Sequence, residues 1–172
     1  MMSVASYAHN YPLAPCGGLF VLTVGFGVTL GAIFPRFRNS MLVASGAVAV
    51  LEMWAFGASL TAPWGVPTPL QVWSLVVAVA FEIAVIAVIV GQFRTRGERT
   101  LRLGILLAVG THFLLMAPAF GPLIVLLALL AILNGLLGVR SPSLSVRTLW
   151  FLDGSLKLAI GAVLWLIVPR WT

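Results

Sequence analysis

The stretch LWFLDGSLKLAIGAVLWLIV, residues 149–168, decides the fold. It is twenty residues long and overwhelmingly apolar, the length a helix needs to cross roughly 30 Å of hydrocarbon. Yet it carries Asp153 and Lys157, spaced i,i+4 on one helical face. A charge near the centre of such a span costs roughly 2.5–3.5 kcal/mol on insertion scales. Lys157 is the chain's only lysine, and Asp153 is one of four acidic residues. Such a helix needs protein around it, and the rest of the sequence reads as the supplier of that environment.

The composition agrees. The chain has 172 residues, of which 61% are hydrophobic and 8% charged, with a mean hydropathy of +1.12. Soluble domains are about 25% charged, so residues 1–172 read as a single integral membrane domain in a lipid bilayer. The one cysteine, Cys16, excludes an internal disulfide or a thiolate metal cage, and is expected to be an exposed or interfacial thiol. His9 and His112 are too far apart in sequence for a local metal motif, and no cofactor is implied. The first sixteen residues hold no basic residue and lack the charged start of a secretory signal.

Six apolar runs follow, at 17–34, 41–60, 70–93, 103–120, 122–139 and 149–168. They predict an all-α, polytopic membrane bundle of six transmembrane helices. The fourth and fifth runs, parted only by Phe120-Gly121-Pro122, are together too long for one crossing and predict a tight helical hairpin. The net charge of +6 belongs to the connections. Arg36 and Arg38 lie in the first, Arg94, Arg96, Arg99 and Arg102 in the third, and Arg140 and Arg147 in the fifth. Connections two and four hold no charge. Basic residues in alternate connections are a topology signal, not a nucleic-acid surface. They place those loops in the cytoplasm and both termini outside it. Trp64, Trp73, Trp150 and Trp171 fall near run ends, as interfacial aromatics do, whereas Trp54 and Trp165 fall deeper.

Six crossings divide into three plus three, and an odd trio repeated must be inverted. VGFGVTLGAIF (24–34) aligns with LGILLAVGTHF (103–113), AVLE (49–52) with AILN (131–134), and EIAVIAVIV (82–90) with KLAIGAVLW (157–165). The offsets are similar and in order. An inverted repeat would make Glu52 the counterpart of Asn134 and Glu82 that of Lys157. Transport proteins with such repeats hold their sites near mid-membrane at the repeat interface.

The polar residues inside the runs are Glu52, Glu82, His112, Asn134, Asp153 and Lys157. Runs two to six each contribute at least one, mostly near mid-run. Such residues face a bundle interior or a wet cavity and pair there. They form the expected substrate or ion pathway, suited to protons or to a small polar or cationic solute, because three acids oppose one lysine. The bland reading is that they only fix helix packing. Gly27 and Gly31 form GxxxG, while Gly154 and Gly161 mark one side of the last run. Packing within one protomer explains them before a dimer seam does, although a homo-oligomer stays compatible. No HExxH, P-loop or GxSxG is present, and no enzyme is expected. Acid–base chemistry on a lipid at His112 and the glutamates is the enzymatic alternative.

Residues 110–138 (GTHFLLMAPAFGPLIVLLALLAILNGLLG) and 150–165 (WFLDGSLKLAIGAVLW) resemble a family of small six-span bacterial membrane proteins of unassigned function. That resemblance implies a bacterial inner-membrane location and no mechanism. The size, the six spans, the outside termini and the paired trios, with Asp153-Gly154 and Trp171 in and after the last run, resemble the AmiS/UreI urea and amide channels. This implies a small-solute conduit. The fifth run lacks a tryptophan where those channels have an aromatic constriction, and Glu82 and Lys157 are additions. Asp-x-x-x-Lys at 153–157 is similar to the last helix of microbial rhodopsins, which need a seventh helix and a longer chain. Taken together, the residues predict a small polar-solute channel or transporter with an ionisable site at the membrane midplane. The alternatives are an accessory membrane subunit and a lipid-modifying enzyme.

Overall fold

The computed structural model describes residues 4–93 and 95–167, and among these every regular element is helical. A short helix α1 (Val4–Asn10) precedes α2 (Ala14–Ile33), α3 (Arg38–Thr61) and α4 (Pro69–Phe93). Then come α5 (Glu98–Leu115), the single turn α6 (Ala117–Phe120), α7 (Pro122–Arg140) and α8 (Val146–Ala162), which ends in a wider π-turn at Val163–Ile167. Five segments are long and apolar enough to cross a membrane: Ala14–Ile33, Pro35–Trp64, Pro69–Phe93, Pro122–Arg140 and Val146–Leu166. The chain is therefore an integral membrane helix bundle. The α5 helix differs because Glu98, Arg99 and Arg102 occupy its first turns.

The helices overrun the apolar runs at several ends. Arg38-Asn39-Ser40, Glu98–Arg102 and Val146–Thr148 are helical although polar or charged. Hydropathy marks the apolar slab, whereas the backbone hydrogen-bond ladder continues beyond it. The Ser145 hydroxyl accepts from the Thr148 amide at 3.0 Å and fixes the start of α8 three residues before the apolar run. In the opposite sense, the fourth run is not one helix. It stops at Leu115, because Pro118 has no amide hydrogen to continue the ladder, and restarts as α6. The expected reversal lies at Gly121, whose φ of +78° a side chain would strain. Tyr7 and Tyr11 also fill the space where its Cβ would stand.

Close packing runs along glycines. The α2 and α8 helices lie antiparallel with backbones almost touching. A Cβ on Gly25 would lie 2.7 Å from Lys157 Cβ, and one on Gly161 would lie 2.6 Å from the Leu22 amide nitrogen. Gly18 meets the Leu164–Trp165 backbone and Gly154 meets Thr29. Gly27 and Gly31 face Ser45 and Arg38 of α3, so the GxxxG pair packs within the protomer. The α5–α7 hairpin closes on Gly110, Gly135 and Gly138, which meet Ile132, Leu107, and Leu103 with Leu149 respectively. By contrast, α3 packs chiefly on α2, and α4 on α5 and α6, while α3 and α4 share no packed seam. Their outer faces expose Val43, Val50, Trp54, Val76 and Ile83. Trp54 is 85% exposed, which for a mid-helix tryptophan means contact with lipid.

The two ends of the bundle are built differently. At one end arginines occupy the carbonyls that helix ends leave unpaired. Arg38 Nε donates to Gly31 O at 3.1 Å, and Arg147 donates to Ile33 O at 3.3 Å. Arg99 donates to Gly138 O and Leu144 O, each at 2.7 Å, and to Ser141 O at 3.1 Å. At the other end α1 folds across the helix termini. The Tyr7 hydroxyl donates to Phe120 O, Gln71 Nε2 donates to Asn10 O at 2.8 Å, and His9 stands edge-on to Trp64. Tyr7 and Ala8 of this cap cluster with Ala14 and Leu164. Cys16 is a buried thiol, not the exposed or interfacial one expected, because its sulfur lies against Gly57 and Thr61 of α3. Trp171, Arg170, Arg94 and the final residue of the last run, Val168, lie outside the described residues.

Candidate functional site

A cavity of about 240 Å³ lies among α2, α3, α4, α5 and α8. Most of its wall is apolar. Val24 and Val28 come from α2, Leu42 from α3 and Ile86 from α4. Ile105, Leu106 and Val109 come from α5. Into this wall are set Glu82 of α4 and Trp150, Asp153 and Lys157 of α8. Leu42 and Glu82 belong to the two helices that share no seam, so the cavity adjoins the gap between α3 and α4.

The core of the site is the ion pair predicted from the i,i+4 spacing. Lys157 Nζ donates to Asp153 Oδ2, and Lys157 is only 1% exposed. The ammonium also lies 5.5 Å from the centre of the Phe113 ring, a cation–π distance. Lys157 is held there because Gly25 opposite leaves room for its stem. The pairing is incomplete. Asp153 Oδ1 and Trp150 Nε1 are buried with no hydrogen-bond partner among the described residues. Both atoms lie sealed behind the surface of the cavity that their residues line, and each carries the cost of a lost hydrogen bond.

Beside this pair stands a second. His112 Nε2 is 3.6 Å from Glu82 Oε2, while His112 Nδ1 is 2.6 Å from Val109 O. A carbonyl only accepts, so Nδ1 carries a hydrogen. In a neutral imidazole Nε2 would then be a bare lone pair facing a carboxylate. At 3.6 Å this is an ion-pair approach and not a hydrogen bond, and it is favourable when one of the two groups, ring or carboxyl, carries the proton.

The structure therefore brings together four of the six polar residues singled out by sequence: Glu82, His112, Asp153 and Lys157. It separates the other two. Glu52 accepts a 2.7 Å hydrogen bond from Thr23 and lines a different groove with Leu19, Phe56 and Trp165. Asn134 Nδ2 donates to Leu149 O at 2.8 Å, tying α7 to α8 away from the cavity wall. The shared interior expected for all six thus holds only four. Apart from isolated polar positions such as Glu52 and Glu82, helices α2, α3 and α4 carry apolar residues on every face, so hydropathy does not tell which helix those positions turn toward. Trp150 was missed in the other direction. It reads as an interfacial aromatic near a run end, yet it is 5% exposed, with the Arg38 guanidinium 5.6 Å from its ring. Its place one turn before Asp153 on α8 was the available signal. Among the described residues, no group of three His, Cys, Asp or Glu converges to hold a metal ion.

The sequence model of one protein family, described as a family of unknown function (DUF6609), matches residues 5–171, and the chain belongs to that family. No curated protein and no solved structure matches the chain.

Proposed function

We propose that this DUF6609 member is a small-solute channel or transporter, with its ionisable site at mid-depth in the bilayer. The observation that carries the reading is the Asp153–Lys157 pair, buried on the wall of a cavity that Glu82 also faces. Lys157 lies near the middle of the Val146–Leu166 span and opposite Gly25, near the middle of α2, which supports a site near the centre of the slab. Ionisable groups are rarely kept at that depth without a task. Glu82 with His112 beside it supplies a group able to gain or lose a proton as a solute passes.

The architecture we propose has six crossings, with α5 and α6 completing one between them. Glu98, Arg99 and Arg102 then sit at the headgroups, and the break at Pro118 falls inside the span. Two inverted trios are supported by matching neighbours, since α2 packs on α3 as α5 packs on α7, and α2 packs on α8 as α5 packs on α4. The match lapses where α7 packs on α8 while α3 and α4 share no packed seam. With the arginine-capped end in the cytoplasm, both termini lie outside, in a bacterial inner membrane.

Flux in proteoliposomes tests the reading. Swelling rates with urea or glycerol report neutral solutes, and a trapped pH dye, read with and without an external amine salt, reports protons and organic cations. The wild type is expected to exceed protein-free vesicles in at least one assay. Glu82→Gln is expected to lower that flux while the folded protein is retained. A wild type equal to empty vesicles in every assay would overturn the proposal. An accessory, packing-only subunit is the second reading, favoured by the closed contacts of Glu52 with Thr23 and of Asn134 with Leu149.

A further inference from the structure

We infer that the cavity takes a small organic cation, a protonated amine on an apolar body, in exchange for the proton of the Glu82–His112 pair. This deepens the transport reading and rests on the same site. Three observations lead to it.

The first is charge. The titratable groups at the cavity are Glu82 from α4, His112 behind it on α5, and Asp153 and Lys157 on α8. No titratable side chain of α2 or α3 lines it, although Arg38 of α3 reaches the ring of Trp150 from the arginine-capped end. Lys157 and Asp153 cancel. Glu82 and His112 cancel while one of the two carries the proton. Removing that proton leaves one uncompensated negative charge in an apolar enclosure, which is costly unless a cation replaces it. Proton and cation therefore compete for the same place, and the balance is one charge out for one charge in.

The second is the unused acceptor. Asp153 Oδ1 is buried, has no partner among the described residues and belongs to a residue on the cavity wall. Oδ1 itself is sealed from the cavity, so an ammonium N–H would satisfy it once the Asp153 side chain turns toward the space. The third is the rest of the lining. Val24, Ile86, Leu106 and Val109 offer no polar atoms to replace the hydration shell of a metal ion or of urea. They suit a hydrocarbon body. The volume of about 240 Å³ equals roughly eight waters at about 30 Å³ each, enough for a single-ring amine. The gap between α3 and α4 lets such a body enter from the hydrocarbon.

The test uses the purified full-length protein in detergent and three probes of one shape: benzylamine, benzyl alcohol and benzoate. Titration calorimetry in buffers of different ionisation enthalpy measures affinity and proton release together. Benzylamine is expected to bind at least about tenfold more tightly than the alcohol, with benzoate weakest. Close to one proton should leave per amine bound. Glu82→Gln should weaken benzylamine by about tenfold to a hundredfold, the range for losing one charged hydrogen bond, and leave benzyl alcohol unchanged. Val109→Phe, which narrows the cavity without touching a charge, should weaken both. Equal or tighter binding of the alcohol or of benzoate, no binding at all, or an unchanged amine affinity in Glu82→Gln would each overturn the inference. Because binding is read without vesicles, amine binding without flux retires only the transport reading. Flux of urea or protons without amine preference retires only this one.

Discussion

Lys157 and Gly25 are partners across the α2–α8 seam: the stem of the buried lysine occupies the place where a side chain on residue 25 would begin. One helix gives up its Cβ so that the other can carry a charge through the centre of the bundle. The Leu158 amide and the Gly154 carbonyl also stand within 3.1 Å of that point, and backbone atoms cannot swing aside. Gly25→Ala is therefore expected to destabilise the fold by about 1–3 kcal/mol, the usual cost of overpacking. Gly46→Ala is the control, since nothing lies within 4 Å of its Cβ position, and it should be neutral or slightly stabilising. Thermal unfolding in detergent compares the two.

Removing one member of the ion pair should do more harm than removing both. Lys157→Met leaves Asp153 charged and alone in an apolar wall, and losses of about 3–5 kcal/mol are typical of such breaks. The double variant Asp153→Asn with Lys157→Met should regain a large part of that stability. Denaturant unfolding of the two single variants and the double variant measures the coupling. A double variant as unstable as the worse single one would mean that the two charges do not support each other.

Glu52 and Asn134 should be dispensable for flux. Glu52 faces a separate groove, and Asn134 joins two backbones while its own Oδ1 goes unpartnered. Asn134→Leu removes one interhelical hydrogen bond, and such bonds in membrane proteins average about 0.6 kcal/mol. Flux through liposomes carrying Glu52→Gln or Asn134→Leu is expected to match the wild type within about twofold, because neither side chain lines the cavity and effects of sites without shared partners stay separate.

The cap made by α1 should loosen in strong alkali. Burial pushes the Tyr7 phenol up to about 12 from its ordinary 10.0. The protonated, neutral phenol is the form the fold prefers. Its contribution is complete below pH 10 and fades as pH rises from there through about 12. Limited proteolysis near residues 11–13 should accelerate across that window in the wild type. Tyr7→Phe, which loses the bond to Phe120 O, should be cut faster at neutral pH and show little of the alkaline rise.

Much of this was legible in the residues. Hydropathy located the helices because lipid leaves little choice of what may face it. The i,i+4 spacing identified the Asp153–Lys157 pair because helix geometry makes those positions neighbours. Three things were not legible. The α1 helix is too short and mixed to stand out, and the burial of Cys16 depends on which face of α3 meets it, through Gly57 and Thr61. The break after Leu115 was marked by Pro118, but an apolar run continues across it. Above all, the inward face of α3 could not be told from its lipid face. Leu51 and Trp54 look outward while Glu52, beside them, turns to Thr23 of α2. Which helices become neighbours is settled by tertiary packing, and no single run encodes it.

The absence of a seam between α3 and α4 has a mechanical consequence. Each helix is fastened along one flank only, α3 to the glycines of α2 and α4 to α5 and α6. In a single protomer in the bilayer, acyl chains would finish the wall that α3 and α4 leave unpacked beside Glu82. The thickness and fluidity of the host bilayer would then press directly on the chamber. The same polypeptide should behave differently in short-chain and long-chain lipids, with no residue altered.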